Sequence, residues 1–282
     1  MKYEIGLKSI SSVIFSNRMN DALYKGVDFN KYEDNKNCEE LKGVNIVYQF
    51  SCYEDRTLRT DKNFLYAESY YIAASSIKGA LCLEEKYRNI KFKDIKVEKD
   101  SITLSALKKF QYLYQNEEYI AQKKEDKNAK PKAIKYTEYF PAIRVEMMKD
   151  KQCVKGEILS MGNKTIDFDS IVDKIDLKTR LKLSEYLKQI KIISNMDYFK
   201  ELKKTDCEND SAISKLEEVE DKIKKLSERK DVKIAFVGGF KGIIGGLNKC
   251  DFKESKELRN GFYIDEGTML PYGLVELNIT QK

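Results

Sequence analysis

The chain has 282 residues, with 52 lysines and arginines against 46 acidic residues, which gives a net charge of +6. This length suits one large domain or two modest ones, and the mild basic excess is compatible with a polyanionic partner without demonstrating one. Histidine is absent, which excludes a histidine general base, a histidine-activated nucleophile and a histidine metal ligand. Any catalysis would have to use carboxylates, lysine, tyrosine or a metal held by oxygen ligands.

The cysteines indicate a reducing compartment. Six of them are scattered along the chain without a Cys-x-x-Cys pair, so we expect reduced thiols and no structural zinc or other cofactor. We expect no signal peptide, and the sequence has no apolar run long enough to span a bilayer. We therefore expect a cytoplasmic protein that does not contact a membrane.

The first half of the chain is predicted to be rich in strands. An edge-type strand and a turn are expected over residues 3–15, and a basic loop over 123–135. Ser75 and Ser76 are expected to cap a helix over 77–87, because their hydroxyls can accept free backbone N–H groups. Apolar, β-branched and aromatic segments predict further strands at 44–53, 64–72, 90–98, 101–107, 110–114, 143–148 and 154–160, the last two as a pair.

The second half of the chain is predicted to change from strands to helices and then back to strands. Residues 170–230 lack proline and glycine and carry helical periodicity on both sides of a polar break at 205–211, which predicts a helical hairpin. A strand at 232–237, a glycine-rich loop at 238–248 and a closing strand pair at 261–279 then return the chain to β structure. The expected class is α+β. The expected organisation is an N-terminal half (1–169), a helical block (170–230) and a C-terminal part that completes the sheet (231–282).

The first candidate motif is the segment 71–81, Tyr-Ile-Ala-Ala-Ser-Ser-Ile-Lys-Gly-Ala-Leu. A strand runs into a helix start, where free N–H groups and the helix dipole favour an anion. Ser75 and Ser76 would contribute hydroxyls, Lys78 a full charge, and Gly79 room for close approach of a phosphodiester. The alternative is an ordinary capped helix with a solvated lysine.

The second candidate motif is the segment 236–247, Phe-Val-Gly-Gly-Phe-Lys-Gly-Ile-Ile-Gly-Gly-Leu, with five glycines in nine residues. It lacks the Gly-Lys-Ser/Thr ending of a nucleotide-binding phosphate loop and the spacing of a dinucleotide fingerprint. A cradle for a nucleic-acid backbone fits better, although a glycine-rich connector is the alternative. The candidate RNA contacts in this segment are Gly238, Gly239, Lys241, Gly242 and Gly245.

The order and separation of the two motifs resemble the RAMP superfamily of CRISPR proteins. Its members carry an aromatic-Ile-Pro-Gly-Ser-Ser-aliphatic-Lys-Gly-Ala-aliphatic-Arg motif in the first half and a glycine-rich loop near the C-terminus. Here Ala73 and Ala74 replace the Pro-Gly turn and Cys82 replaces the motif arginine. Segments 95–101, 139–158 and 270–275 further resemble the Csm branch, and the chain is most similar to the fifth Csm subunit of type III-A effector complexes.

That resemblance implies a ferredoxin-like RAMP fold, of the RNA-recognition-motif type, with a helical insertion. It also implies a non-catalytic RNA-binding subunit that holds the 3′ portion of the guide CRISPR RNA and caps the backbone filament in antiviral defence. The implied partners are guide RNA and other effector subunits, especially the repeated backbone subunit, with target RNA a further candidate. Arg56 and Arg59 would extend the path of phosphate contacts.

Two other functions stay open at the level of sequence. A RAMP-family ribonuclease would cut target RNA with an aspartate and a divalent metal, or process the guide, although no aspartate lies in a recognisable catalytic context. An adaptor would instead use the helical block to dock a protein partner, with RNA binding incidental. RNA cleavage with magnesium or manganese discriminates the first, and complex assembly without RNA discriminates the second.

Overall fold

This computed structural model describes residues 1–16, 22–29, 41, 43–54, 56, 66–81, 89–112, 134–138, 140–161, 166–195, 207–246 and 261–282. Within these ranges the chain has a mixed α+β fold with mostly antiparallel sheets, as the sequence predicts. The strands are β1 (Lys2–Ser9), β2 (Ala22–Tyr24), β3 (Ile46–Tyr48), β4 (Tyr70–Ile72), β5 (Ile90–Phe92), β6 (Ile95–Val97), β7 (Ile102–Ser105), β8 (Lys108–Tyr112), β9 (Ile134–Glu138), β10 (Ile143–Met148), β11 (Cys153–Ser160), β12 (Ile234–Phe236), β13 (Phe262–Asp265), β14 (Leu270–Pro271) and β15 (Leu274–Gln281). The helices are α1 (Ala74–Ala80), α2 (Phe168–Asn195), α3 (Cys207–Glu228) and α4 (Gly242–Gly246).

A five-stranded antiparallel sheet in the order β12-β15-β1-β11-β5 forms the centre of the fold. Strand β1 buries alternate residues, Tyr3, Ile5 and Leu7, as expected for a strand with one face on the core. The prediction of an edge strand here is wrong, because β1 pairs along its length with both β11 and β15. Its polar residues reflect a solvated face and not a free edge.

The remaining strands form a sheet in the order β2-β3-β10-β7, a sheet in the order β14-β13-β8-β9, and a ribbon of β4 and β6. Strands β10 and β11 were expected to pair with each other, but they lie in different sheets. The reason is the connection between them: Lys151 adopts a φ of 59° and its N–H donates to the Ser9 carbonyl oxygen at 2.7 Å. The Gln152 N–H also donates to Ser9 Oγ at 2.8 Å, which directs the chain onto β1.

The expected helical hairpin is present as α2 and α3. Residue Arg180, near the middle of α2, donates to Asp176 Oδ2 at 2.9 Å and to the carbonyl oxygens of Ser227 and Arg229, at the end of α3. A cation on the last carbonyls of a helix complements its dipole, so this contact fixes the antiparallel pairing of the two helices. Helix α3 begins at Cys207, inside the break that the sequence predicts.

Two large apolar clusters lie beneath these elements, and α2 contributes to both. Its first turns, with Phe168 and Ile171, pack with β1 and β11, whereas Tyr186 and Ile190 pack with α3 and β12. Helix α1 of the first motif contributes Ile77 to the first cluster, whereas the second motif contributes Val237 to the first cluster and Ile244 to the second.

Candidate nucleic-acid interface

The first motif runs from β4 into α1, as the sequence predicts, but the start of the helix differs. The N-cap is Ala73, with φ −61° and ψ 134° and no side-chain cap, so Ser75 and Ser76 lie inside the first turn. The Ala74 N–H instead donates to Asp94 Oδ1 at 2.7 Å. The expectation of serine capping is therefore wrong, and a carboxylate already occupies the helix start that the sequence assigned to an anionic ligand.

What remains for a ligand is the outer surface of α1. Ser75, Lys78 and Gly79 are exposed, while Ile77 is buried and fixes the helix to the core. A Cβ built on Gly79 would meet no atom of the described residues outside its own helix within 4 Å. Glycine inside a helix costs about 1 kcal/mol relative to alanine, so steric contacts among the described residues give no reason for glycine at position 79.

The second motif follows β12 and is more ordered than the expected loop, because 242–246 form α4. Gly238 and Gly242 adopt positive φ values of 74° and 68°, a conformation that favours glycine. The Gly239 N–H donates to the Ile14 carbonyl oxygen at 2.7 Å. A Cβ on Gly238 would lie well inside van der Waals contact with that same carbonyl oxygen.

Close contacts with the protein itself account for most of this glycine-rich segment. The aliphatic stem of Lys241 packs over Gly273 and Gly245, where a Cβ would meet lysine carbons at 3.3 Å and 2.8 Å respectively. Tyr186 donates its hydroxyl to the Lys241 carbonyl oxygen at 2.9 Å, and Lys182 Nζ donates to the Gly245 carbonyl oxygen at 2.8 Å. These observations favour the glycine-rich connector over a cradle for a ligand.

A ladder of backbone hydrogen bonds connects the two motifs. Gly239 is bonded to Ile14 in the first step of this ladder. In the second step the Ser51 N–H donates to the Phe15 carbonyl oxygen at 3.0 Å, and in the third the Tyr71 N–H donates to the Ser51 carbonyl oxygen at 2.9 Å. Three steps of about 4.8 Å place Gly239 and Tyr71 on the order of 14 Å apart. The motifs are thus joined through two intervening segments.

Arg56 lies in the protein interior, unlike the phosphate contact that the sequence predicts. Its Nη1 donates to both carboxylate oxygens of Glu146, at 2.8 and 2.9 Å, and the two side chains are only 2% and 0% exposed. Glu146 also accepts from the Phe50 N–H at 2.9 Å and the Tyr70 hydroxyl at 3.0 Å. Burial raises the pKa of Tyr70, as does the adjacent carboxylate, so the phenol stays protonated and donates. Arg59 and most of the basic segment 123–135 lie outside the described residues.

Beside the first motif lies a feature that the sequence analysis did not single out. The rings of Tyr53 and Tyr71 stack with centroids 4.2 Å apart and an interplanar angle of 24°. Tyr53 is 63% exposed. The available signal was weak, because alternation places Tyr53 and Tyr71 on outward faces of two strands without showing that those strands are neighbours.

In the described part of the chain, no three cysteine, aspartate or glutamate side chains are grouped as metal ligands. Among the same residues, no helix combines the length and apolar character needed to cross a bilayer.

Comparison with known proteins shows a likeness to solved structures but not to known sequences. No protein-family model matches the chain, and no curated protein matches it significantly. Among the solved structures, a chain of the cryo-EM structure of a Csm–crRNA–target RNA ternary complex in a type III-A CRISPR-Cas system matches with a TM-score of 0.48 and 11% identity. The match covers 98% of this chain and 100% of that one. A likeness at this level assigns no activity or partner to this chain.

Proposed function

We propose that this protein is a non-catalytic, RNA-binding subunit of a type III CRISPR effector complex, of the RAMP type and most like the fifth Csm subunit. In that role it would hold the 3′ portion of the guide RNA and cap the backbone filament. The observation that carries the proposal is the outer surface of α1. There the Ser-Ser-Ile-Lys-Gly-Ala run presents Lys78 and Gly79 to solvent, and no steric contact among the described residues excludes a side chain at position 79.

The chemistry of this surface suits a phosphodiester. Lys78 offers a mobile positive charge, and the exposed hydroxyl of Ser75, one helical turn earlier, offers a donor. Gly79 leaves room beside them for a sugar–phosphate backbone to approach the helix. Contacts of this kind fix the position of an RNA strand but carry no sequence information, as expected of a subunit that holds guides of varied sequence.

The first prediction concerns the charge on α1. Replacing Lys78 by Gln should weaken binding of single-stranded RNA and reduce the slope of log affinity against log salt by roughly 0.7, the value for one phosphate contact. Fluorescence anisotropy of a labelled RNA at several salt concentrations measures both quantities. The matched control is Lys178→Gln, an exposed lysine on α2, which should leave the slope unchanged. Equal slopes for the two variants would remove α1 from the RNA interface.

The second prediction concerns Gly79, whose replacement separates folding from binding. Gly79→Ala should leave the free energy of unfolding unchanged or raise it by up to about 1 kcal/mol, because alanine favours a helix and the position is open. The same change should weaken RNA binding if a phosphodiester approaches the glycine closely, and Gly79→Val should weaken it further. Circular dichroism melts and anisotropy titrations on the same samples measure the two effects. RNA affinity equal to that of the parent in both variants would contradict a close approach here.

A further inference from the structure

We propose that the stacked tyrosines Tyr53 and Tyr71 form a platform on which one unpaired nucleobase of single-stranded RNA stacks, with Lys96 beside it. This tyrosine platform rests on the proposed RNA-binding function and deepens it, because it assigns a base contact in addition to the phosphate contacts of α1. The argument begins with the strands that hold the two rings.

Three neighbouring segments place these side chains on one surface. Cys52 pairs with Tyr70 in an antiparallel bridge, and Tyr71 lies opposite Lys96 in the β4–β6 ribbon. The residues that flank Tyr71 and Lys96 along their strands are buried, which directs the two side chains away from the core. Those flanking residues are at most 1% exposed: Tyr70, Ile72, Ile95 and Val97. Tyr53 is the diagonal neighbour of Tyr71 across the bridge, a distance that aromatic side chains span.

The exposure of the rings distinguishes this pair from the aromatic pairs of the core. Tyr53 remains 63% exposed although it already stacks on Tyr71, so a flat aromatic surface faces solvent at the end of an existing stack. A base added there continues the stack. Since tyrosine has few rotatable bonds and the pair is held in place, binding orders little that is not already ordered.

Lys96 supplies a positive charge next to the two rings. Lys96 is exposed and its ion pair with Glu98, at 3.1 Å, is between side chains 69% and 74% exposed, where solvent makes such a pair weak. Glu54, next to Tyr53, has a carboxylate oxygen engaged by the N–H groups of Glu68 and Ser69. Aromatic rings next to lysines are the usual means of holding single-stranded nucleic acid.

The experiment uses the full chain and a single-stranded RNA that carries 2-aminopurine, whose fluorescence falls when it stacks. Tyr53→Leu keeps apolar volume but removes the aromatic face, so we expect loss of the quenching and a 5- to 100-fold loss of affinity, the range for one base–aromatic stack. Tyr53→Phe should retain both. The matched control is Tyr24→Leu, because Tyr24 is also exposed, at 43%, and lies on another sheet.

The outcomes separate the platform from the wider function. Two results would overturn the platform and leave the α1 proposal standing. In the first, the parent binds RNA tightly and in a salt-dependent way, and Tyr53→Leu binds equally well. In the second, the parent binds RNA but does not quench the 2-aminopurine fluorescence. Failure of the parent chain to bind single-stranded RNA at low salt overturns both. The platform is also overturned if Tyr24→Leu abolishes the quenching as fully as Tyr53→Leu does, because base stacking would then not be specific to Tyr53 and Tyr71.

Discussion

Replacing Arg56 by Met should lower the free energy of unfolding by about 3–5 kcal/mol, the cost of leaving one charge of a buried pair without its partner. The reason is that the Glu146 carboxylate is fully buried and has Arg56 as its counter-charge. The same carboxylate also accepts hydrogen bonds from the Phe50 N–H and the Tyr70 hydroxyl. Urea unfolding followed by circular dichroism measures the loss.

Two further variants make this result specific. Arg56→Met combined with Glu146→Gln should recover most of the lost stability, because the neutral amide can still accept a hydrogen bond but no charge is buried. Arg229→Met is the matched control: Arg229 is 43% exposed and pairs with Asp231 and Glu276 at the surface, so its loss should cost less than about 1 kcal/mol. If Arg56→Met is as stable as Arg229→Met but binds RNA more weakly, the phosphate contact predicted from sequence is correct.

Arg56 also shows why some residues of the site could not be assigned from the sequence. An arginine near a candidate RNA motif in a basic chain is a reasonable phosphate contact. Its partner Glu146 lies 90 residues away in sequence, and nothing local indicates that a sheet brings the two together. The cap of α1 could not be assigned from the sequence for the same reason, because the acceptor is Asp94, 20 residues beyond the start of the helix.

Elements whose signal is local were predicted well. The alternation in β1 and the helical periodicity of α2 and α3 identified these elements from the pattern alone, because one buried face is enough to create the signal. The partners of a strand depend instead on where the chain turns. Strand β1 is therefore a strand, as predicted, but lies inside its sheet and not at the edge. Strands β10 and β11 lie within about one residue of their predicted bounds but belong to different sheets.

The glycines also show which features can be predicted from local sequence and which cannot. A dense run of glycines is typical of positive φ or of close backbone contact, and Gly238 and Gly242 adopt positive φ, but density alone does not say what makes each glycine necessary. At Gly238 the reason is the Ile14 carbonyl oxygen, whereas at Gly79 no steric contact with the described residues supplies a reason. A glycine that the protein requires and a glycine that an RNA strand would require thus look alike in sequence, and mutation distinguishes them.

Within the glycine-rich segment 238–246, the largest effect is expected for Gly238→Ala. Alanine at a φ of 74° is strained by about 1–2 kcal/mol. The new Cβ would also overlap the Ile14 carbonyl oxygen, and overpacking of this kind adds about 1–3 kcal/mol. We therefore expect a loss of about 2–5 kcal/mol in the free energy of unfolding, measured by urea titration. Gly246→Ala is the control, because its Cβ would meet no atom within 4 Å in the same segment, and it should be neutral or slightly stabilising.

The comparison of stability with RNA affinity decides what the glycine-rich segment does. Because Gly238 packs against the Ile14 carbonyl oxygen of the chain itself, we expect its replacement to act through folding. RNA binding by Gly238→Ala should therefore fall only in step with the folded fraction. Gly242→Ala separates the two effects further, since its Cβ has open space, with Tyr263 at 3.7 Å, and only the backbone strain remains. A Gly242→Ala protein that is fully folded but loses RNA would show that this segment contacts the ligand directly, and that the cradle predicted from the sequence is right.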